Sequence, residues 1–108
     1  MAAEFQERRR TPRVALEGRQ ELRLGRRIRA RVVDISGSGA LLSVDEGVPV
    51  GARGRLQISL GGAQFEAQVL IRREQAGVGS GQLLGAVLTP THARHQEALE
   101  QFLRRAGN

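Results

Sequence analysis

The stretch Arg27-Ile-Arg-Ala-Arg-Val restricts the fold of this chain more than any other feature. Arginine and apolar side chains alternate with a period of two. Only an extended strand with one buried face sends successive side chains to opposite sides in this way. The same period returns in Leu56, Ile58 and Leu60, and again in Phe65, Ala67, Val69 and Ile71. Strands are therefore expected over residues 19–24, 27–35, 40–44, 54–60, 63–73 and 82–88. Glycines punctuate them. Gly25-Arg26 turns the first strand into the second, and Gly61-Gly62 is a two-residue hairpin signal because both positions tolerate positive φ.

After residue 88 the period changes. Thr89-Pro90 reads as an N-cap followed by proline at the first helical position. His95, Ala98, Leu99, Phe102 and Leu103 then share one helical face, and Gly107 ends it. Six short strands and one closing helix suggest a small antiparallel barrel or a strongly bent sheet with the helix over its open side. With three Phe, no Tyr and no Trp, the core must be aliphatic. A chain of 108 residues suffices for one such domain. Residues 1–18 read as a basic N-terminal arm, mobile over 1–13 with one helical turn near 4–10, and residues 19–108 as the barrel with its helix.

Several classes of function recede. The absence of Cys removes disulfides and thiolate metal sites. His92 and His95 lie three apart without a neighbouring carboxylate or Cys, which favours solvent or helix packing over zinc. No local motif marks a nucleophile or an acid–base pair, so the chain reads as a non-enzyme with no cofactor. The glycine stretch from residue 77 to 85 lacks the final glycine of G-x-G-x-x-G and lies between strands, so a hairpin loop is preferred to a phosphate loop. No run approaches the roughly 18 apolar residues of a membrane span, and the first residues do not resemble a signal peptide; the expected location is the cytoplasm.

Charge is the positive signal. All seventeen basic residues are Arg. Residues 1–31 hold ten Arg against four Glu, whereas residues 32–108 hold seven Arg against seven acids. Localised positive charge attracts anions, and guanidinium forks match phosphate oxygens and the O6/N7 edge of guanine. The arm contributes Arg8-Arg-Arg-Thr-Pro-Arg13, and the end of the second strand contributes Asp34-Ile-Ser-Gly-Ser-Gly39. Alone, the first is a solvated charge run and the second a turn stabilised by Asp and Ser, with Gly39 able to take positive φ.

Together, R-R-x-x-x-R and D-x-S-x-x-G about twenty residues later resemble the PilZ domain family, with the similarity running from about Phe5 to Leu103. The resemblance implies a six-stranded antiparallel β-barrel with a C-terminal helix, and a bacterial receptor for cyclic di-GMP. It assigns ligand contact to Arg8, Arg9, Arg13, Asp34, Ser36 and Gly39. The arginines would grip phosphates and guanine edges, and Asp34 would accept from guanine N1–H and N2–H or hold an Arg in place. Ser36 would add a hydroxyl contact, and Gly39 would permit the turn and close ligand approach. Arg10 is a further candidate, for stacking on a guanine. One departure is Leu88, where the family often has an aromatic residue after Gly85; it is expected to affect packing rather than the ligand. Two alternatives compete: a basic barrel binding RNA or DNA, which the lack of aromatic stacking surfaces disfavours, and a PilZ-like adaptor that binds protein without nucleotide. In each signalling reading the output passes to a downstream protein.

Overall fold

The computed structural model describes residues 14–16, 20–45, 47–76 and 81–107. The arginine motif at residues 8–13, the helical turn expected over 4–10 and the glycine loop at 77–80 lie outside them. Six strands follow in order: β1 (Gln20–Arg23), β2 (Arg27–Ile35), β3 (Gly39–Val44), β4 (Arg53–Leu60), β5 (Ala63–Ala76) and β6 (Gln82–Pro90). One helix, α1 (Ala93–Gly107), ends the chain. All neighbouring strands pair antiparallel, in the closed order β1-β2-β3-β6-β5-β4. The barrel thus takes the closed form of the two expected from the alternation.

The alternation explains what lies inside. Ile28, Ala30 and Val32 of β2, Leu56, Ile58 and Leu60 of β4, and Phe65, Ala67, Val69 and Ile71 of β5 are all buried. They fill the barrel with Leu22, Leu42, Val44, Leu84 and Leu88, leaving an aliphatic core around a single phenylalanine, Phe65. Full burial of each Leu, Ile or Phe contributes about 1.5–3 kcal/mol. Leu88 is 5% exposed and belongs to this core, so its departure from the family pattern is a packing substitution.

Closure depends on local glycine geometry. Gly61 and Gly62 both have positive φ, 60° and 91°, and form the β4–β5 hairpin turn. Gly54 has a different task. A Cβ on Gly54 would stand 1.6 Å from the Arg23 carbonyl oxygen, so only glycine lets β4 approach β1 at the seam.

Helix α1 begins later than the sequence suggests. Thr89 and Pro90 continue β6, paired in register with Gln68 and Ala67, because the β5 edge still offers ladder partners there. Proline fits the strand end, where its missing N–H costs nothing. The Thr91 amide then donates to the Glu66 carbonyl at 3.1 Å, and the cap falls to His92. The His92 carbonyl accepts from Gln96 at 3.2 Å and its Nδ1 from the Arg94 amide at 3.5 Å. Leu99 and Leu103 are buried against the barrel, and His95 is buried with its Nδ1 at 3.2 Å from the Gln64 carbonyl. Only a protonated Nδ1 can hydrogen-bond a carbonyl, so that nitrogen donates. His95 is a packing residue, edge-on to the Phe65 ring at 6.4 Å. No group of metal-binding side chains occurs among the described residues.

Candidate ligand-binding site

With the barrel interior filled, the available sites lie on its outer face. Strict alternation from Ile28 would send Asp34 inward beside Val32. It does not, because the β2–β3 register shifts between Val32 and Asp34 and leaves Val33 as the extra residue of a bulge. The bulge reverses the phase: Ile35 is buried and Asp34 faces outward. A second bulge on β5, between Ile71 and Arg73, leaves Arg72 unpaired and keeps Arg73 outside as well. An uninterrupted alternation would have buried its guanidinium.

The registers place Asp34 opposite Leu41, Leu41 opposite Gly85, and Gly85 opposite Arg73. Asp34 and Arg73 therefore mark two ends of one cross-strand row, three strand spacings or about 14 Å apart along the backbone. Gly85 forms the floor. A Cβ at this position would stand 2.7 Å from both Cγ and Nε of Arg73, so the arginine lies across the glycine. The resulting groove has a volume of about 600 Å³ and is lined by Asp34, Ser36, Gly39, Arg72, Arg73, Gln75 and Val87, among others. Neither Asp34 nor either arginine has an ion-pair partner among the described residues.

Three of the sequence-predicted site residues are brought together here, with roles that differ in detail. The Ser36 amide donates to the Gly39 carbonyl at 2.8 Å, and its hydroxyl reaches the same oxygen at 3.3 Å. This closes the β2–β3 turn. Gly39 does not adopt positive φ, contrary to the turn-based expectation; the positive-φ glycines described are Gly25, Gly51, Gly61 and Gly62. Glycine is required because a Cβ there would stand 2.5 Å from the Ala86 carbonyl oxygen of β6. Asp34 is half-buried and makes no turn hydrogen bond among the described residues, which leaves its carboxylate available.

Arg8, Arg9, Arg10 and Arg13 lie outside the described residues, but the chain that follows them is anchored. Val14 and Ile35 exchange two backbone hydrogen bonds, at 3.0 and 2.8 Å, and the Leu16 amide donates to the Val32 carbonyl at 3.2 Å. Residues 14–16 thus run along β2 where β1 does not reach. Sequence reasoning missed Arg72 and Arg73. The available signal was the failure of the hydrophobic alternation after Ile71, where two arginines and then Glu74 follow without an apolar residue.

These features define a small closed β-barrel domain with a filled interior and a polar groove on its outer wall. Residues 7–105 match the profile of the PilZ domain, and the chain belongs to that family. A solved structure, the Bacillus subtilis inhibitor of motility MotI/DgrA, aligns with a TM-score of 0.75 at 21% identity. The alignment covers 89% of this chain and 49% of that one, so this chain spans about half its length. At that identity the likeness concerns the fold. No curated protein matches.

Proposed function

We propose that this protein is a cyclic di-GMP receptor whose ligand lies in the groove between Asp34 and Arg73, with the Arg8–Arg13 motif closing over it. The carrying observation is the outward phase of Asp34, Arg72 and Arg73 produced by two bulges on one side of the barrel. A carboxylate at one end of the groove suits the N–H donors of a guanine edge, and guanidiniums at the other suit phosphate or guanine O6/N7. A groove of about 600 Å³ falls within the roughly 300–1,000 Å³ typical of small-molecule sites. Antiparallel pairing of Val14 with Ile35 supports the role of the arm, because Arg13 is one peptide bond from Val14 and the strand end beside it carries Asp34 and Ser36. Arg8 and Arg9 complete the phosphate grip in this reading, and Arg10 stacks on a guanine.

The receptor acts as an adaptor in bacterial cytoplasm, performs no catalysis, and passes its state to another protein. Among the described residues, no helix is long and apolar enough to cross a membrane. Titration calorimetry of the parent protein, Arg9→Ala and Asp34→Ala against cyclic di-GMP tests the binding claim, with linear pGpG, GTP and cyclic di-AMP as controls. Loss of one charge-assisted contact should weaken cyclic di-GMP by about 1.5–3 kcal/mol. Equal affinity for all four nucleotides would reduce the groove to a general anion site and refute the assignment.

A further inference from the structure

A second outer surface lies on the other side of Val87, and it carries a charge arrangement that the barrel itself does not resolve. In register, Arg27 of β2 stands opposite Arg23 of β1, and Arg23 stands opposite Arg55 of β4. Three arginines therefore occupy one cross-strand row with no acid among them. Like charges directly opposite on adjacent strands repel. Two receive partial relief at the row's edge: Arg27 lies 3.6 Å from Glu21, and Arg55 3.6 Å from Glu66. Arg23, between them, has no ion-pair partner among the described residues, and the same is true of Arg53, two positions before Arg55.

The neighbouring row continues from Arg53 to Leu70 and Val87, which the β4–β5 and β5–β6 registers place side by side. Val87 is 36% exposed, an unusual position for a large apolar side chain. Arg23, Arg53, Arg55, Leu70 and Val87 line one groove of about 700 Å³. One row of the groove runs from Arg23 and Arg55 to the neutral Gln68 and Thr89, and the next runs from Arg53 to two aliphatic side chains.

We propose that this surface docks an acidic segment of a partner protein, an extended chain that carries carboxylate and aliphatic side chains on one face, at every second residue. The carboxylates would meet Arg23, Arg53 and Arg55, and an aliphatic side chain would cover Leu70 and Val87. Charge complementarity selects the occupant. A nucleic acid presents unbroken phosphate charge that leaves the aliphatic pair Leu70 and Val87 uncovered, and its bases would find no aromatic side chain in this groove. Attraction of this kind raises association rates and falls with ionic strength.

The test uses the full chain and a fluorescein-labelled peptide that repeats Asp-Ser-Val-Ser, which puts Asp and Val on one face, read by anisotropy. Duplex DNA of equal charge and phosphatidylglycerol vesicles serve as competing anions. Arg23→Glu/Arg55→Glu should weaken peptide binding about tenfold or more, and Leu70→Ser should weaken it without changing charge. Arg104→Glu/Arg105→Glu makes the same charge change on the far end of α1 and should cost less than about twofold. Circular dichroism melts confirm that each variant is folded. Equal loss from both charge-reversed pairs, preference of the parent for DNA or vesicles, or no binding of the peptide overturns the proposal. Calorimetry with cyclic di-GMP on Arg23→Glu/Arg55→Glu keeps the two readings apart. Peptide binding without nucleotide binding sinks the receptor assignment alone, whereas nucleotide binding without peptide binding sinks this docking surface alone.

Discussion

Gly39 and Gly85 line the same groove from the adjacent strands β3 and β6, yet a methyl group added to each meets different matter. At Gly39 it would press on the Ala86 carbonyl, which belongs to a paired strand and cannot turn away. Gly39→Ala should destabilise the fold by about 1–3 kcal/mol, the usual range for overpacking, as measured by urea denaturation. Gly37, in the same turn, has no atom within 4 Å of its would-be Cβ and no positive φ, so Gly37→Ala should stay within about 0.5 kcal/mol of the parent. Gly85→Ala is a third case. Its methyl would meet Cγ and Nε of Arg73, a side chain that can swing aside. Stability should then change by less than about 1 kcal/mol, while displacement of the guanidinium weakens cyclic di-GMP by about tenfold or more. If Gly85→Ala binds the nucleotide as the parent does, Arg73 has no part in recognition.

At the scale of elements, the two bulges separate what was legible in the residues from what was not. The alternation in β2 announced its extent, Arg27–Ile35, and its buried face as far as Val32. It did not announce the slip at Val33. Bulge placement depends on the partner strand's register, which a single strand's residues do not encode. For the same reason Asp34 and Ser36 could be named from their motif, whereas Arg72 and Arg73 emerged only once β5 was paired with β6. The helix start shows a related limit. Thr89-Pro90 has good local chemistry for an N-terminus, but the ladder with β5 outcompeted it. The joint that results is fastened through Glu66. Hydrogen bonds from Gln57, at 2.7 Å, and from Thr91, at 2.9 Å, hold its carboxyl below the ordinary value of 4.5, with a smaller contribution from the nearby Arg55. A carboxylate whose folded pKa is lowered stabilises the fold above its unfolded pKa, and that contribution disappears as pH falls through the folded value. Denaturation of the parent and Glu66→Gln should therefore differ at pH 7 in favour of the parent. The gap should close as the pH is taken well below 4.5. A gap that persists in strong acid would mean that the charge on Glu66 is not what fastens the joint.

For the molecule as a whole, the barrel is a closed, filled wall and the N-terminal chain is the element through which ligand and wall are proposed to meet. The charge excess of residues 1–31 was visible in the residues, and eight of its ten arginines fall into two groups. Arg23, Arg27, Arg29 and Arg31 are fixed on β1 and β2, facing outward, while the motif arginines precede the anchor at Val14. That division makes a prediction about exchange of backbone amides. The Val14 and Leu16 amides already donate to Ile35 and Val32, so binding of cyclic di-GMP should change their exchange little. Amides of residues 5–13 should slow when ligand is added, since closure over the groove requires them to take one arrangement. The boundary of the effect should fall between Arg13 and Val14. Asp34→Ala, which leaves the arm intact but removes the acceptor at the groove's end, should bind more weakly and show the same boundary only at higher ligand concentration. Hydrogen–deuterium exchange read by NMR, with and without saturating cyclic di-GMP, resolves these positions individually. Protection spread evenly across residues 5–16 would place the boundary elsewhere, and no protection of residues 5–13 at saturation would mean that the ligand is held by the barrel wall alone.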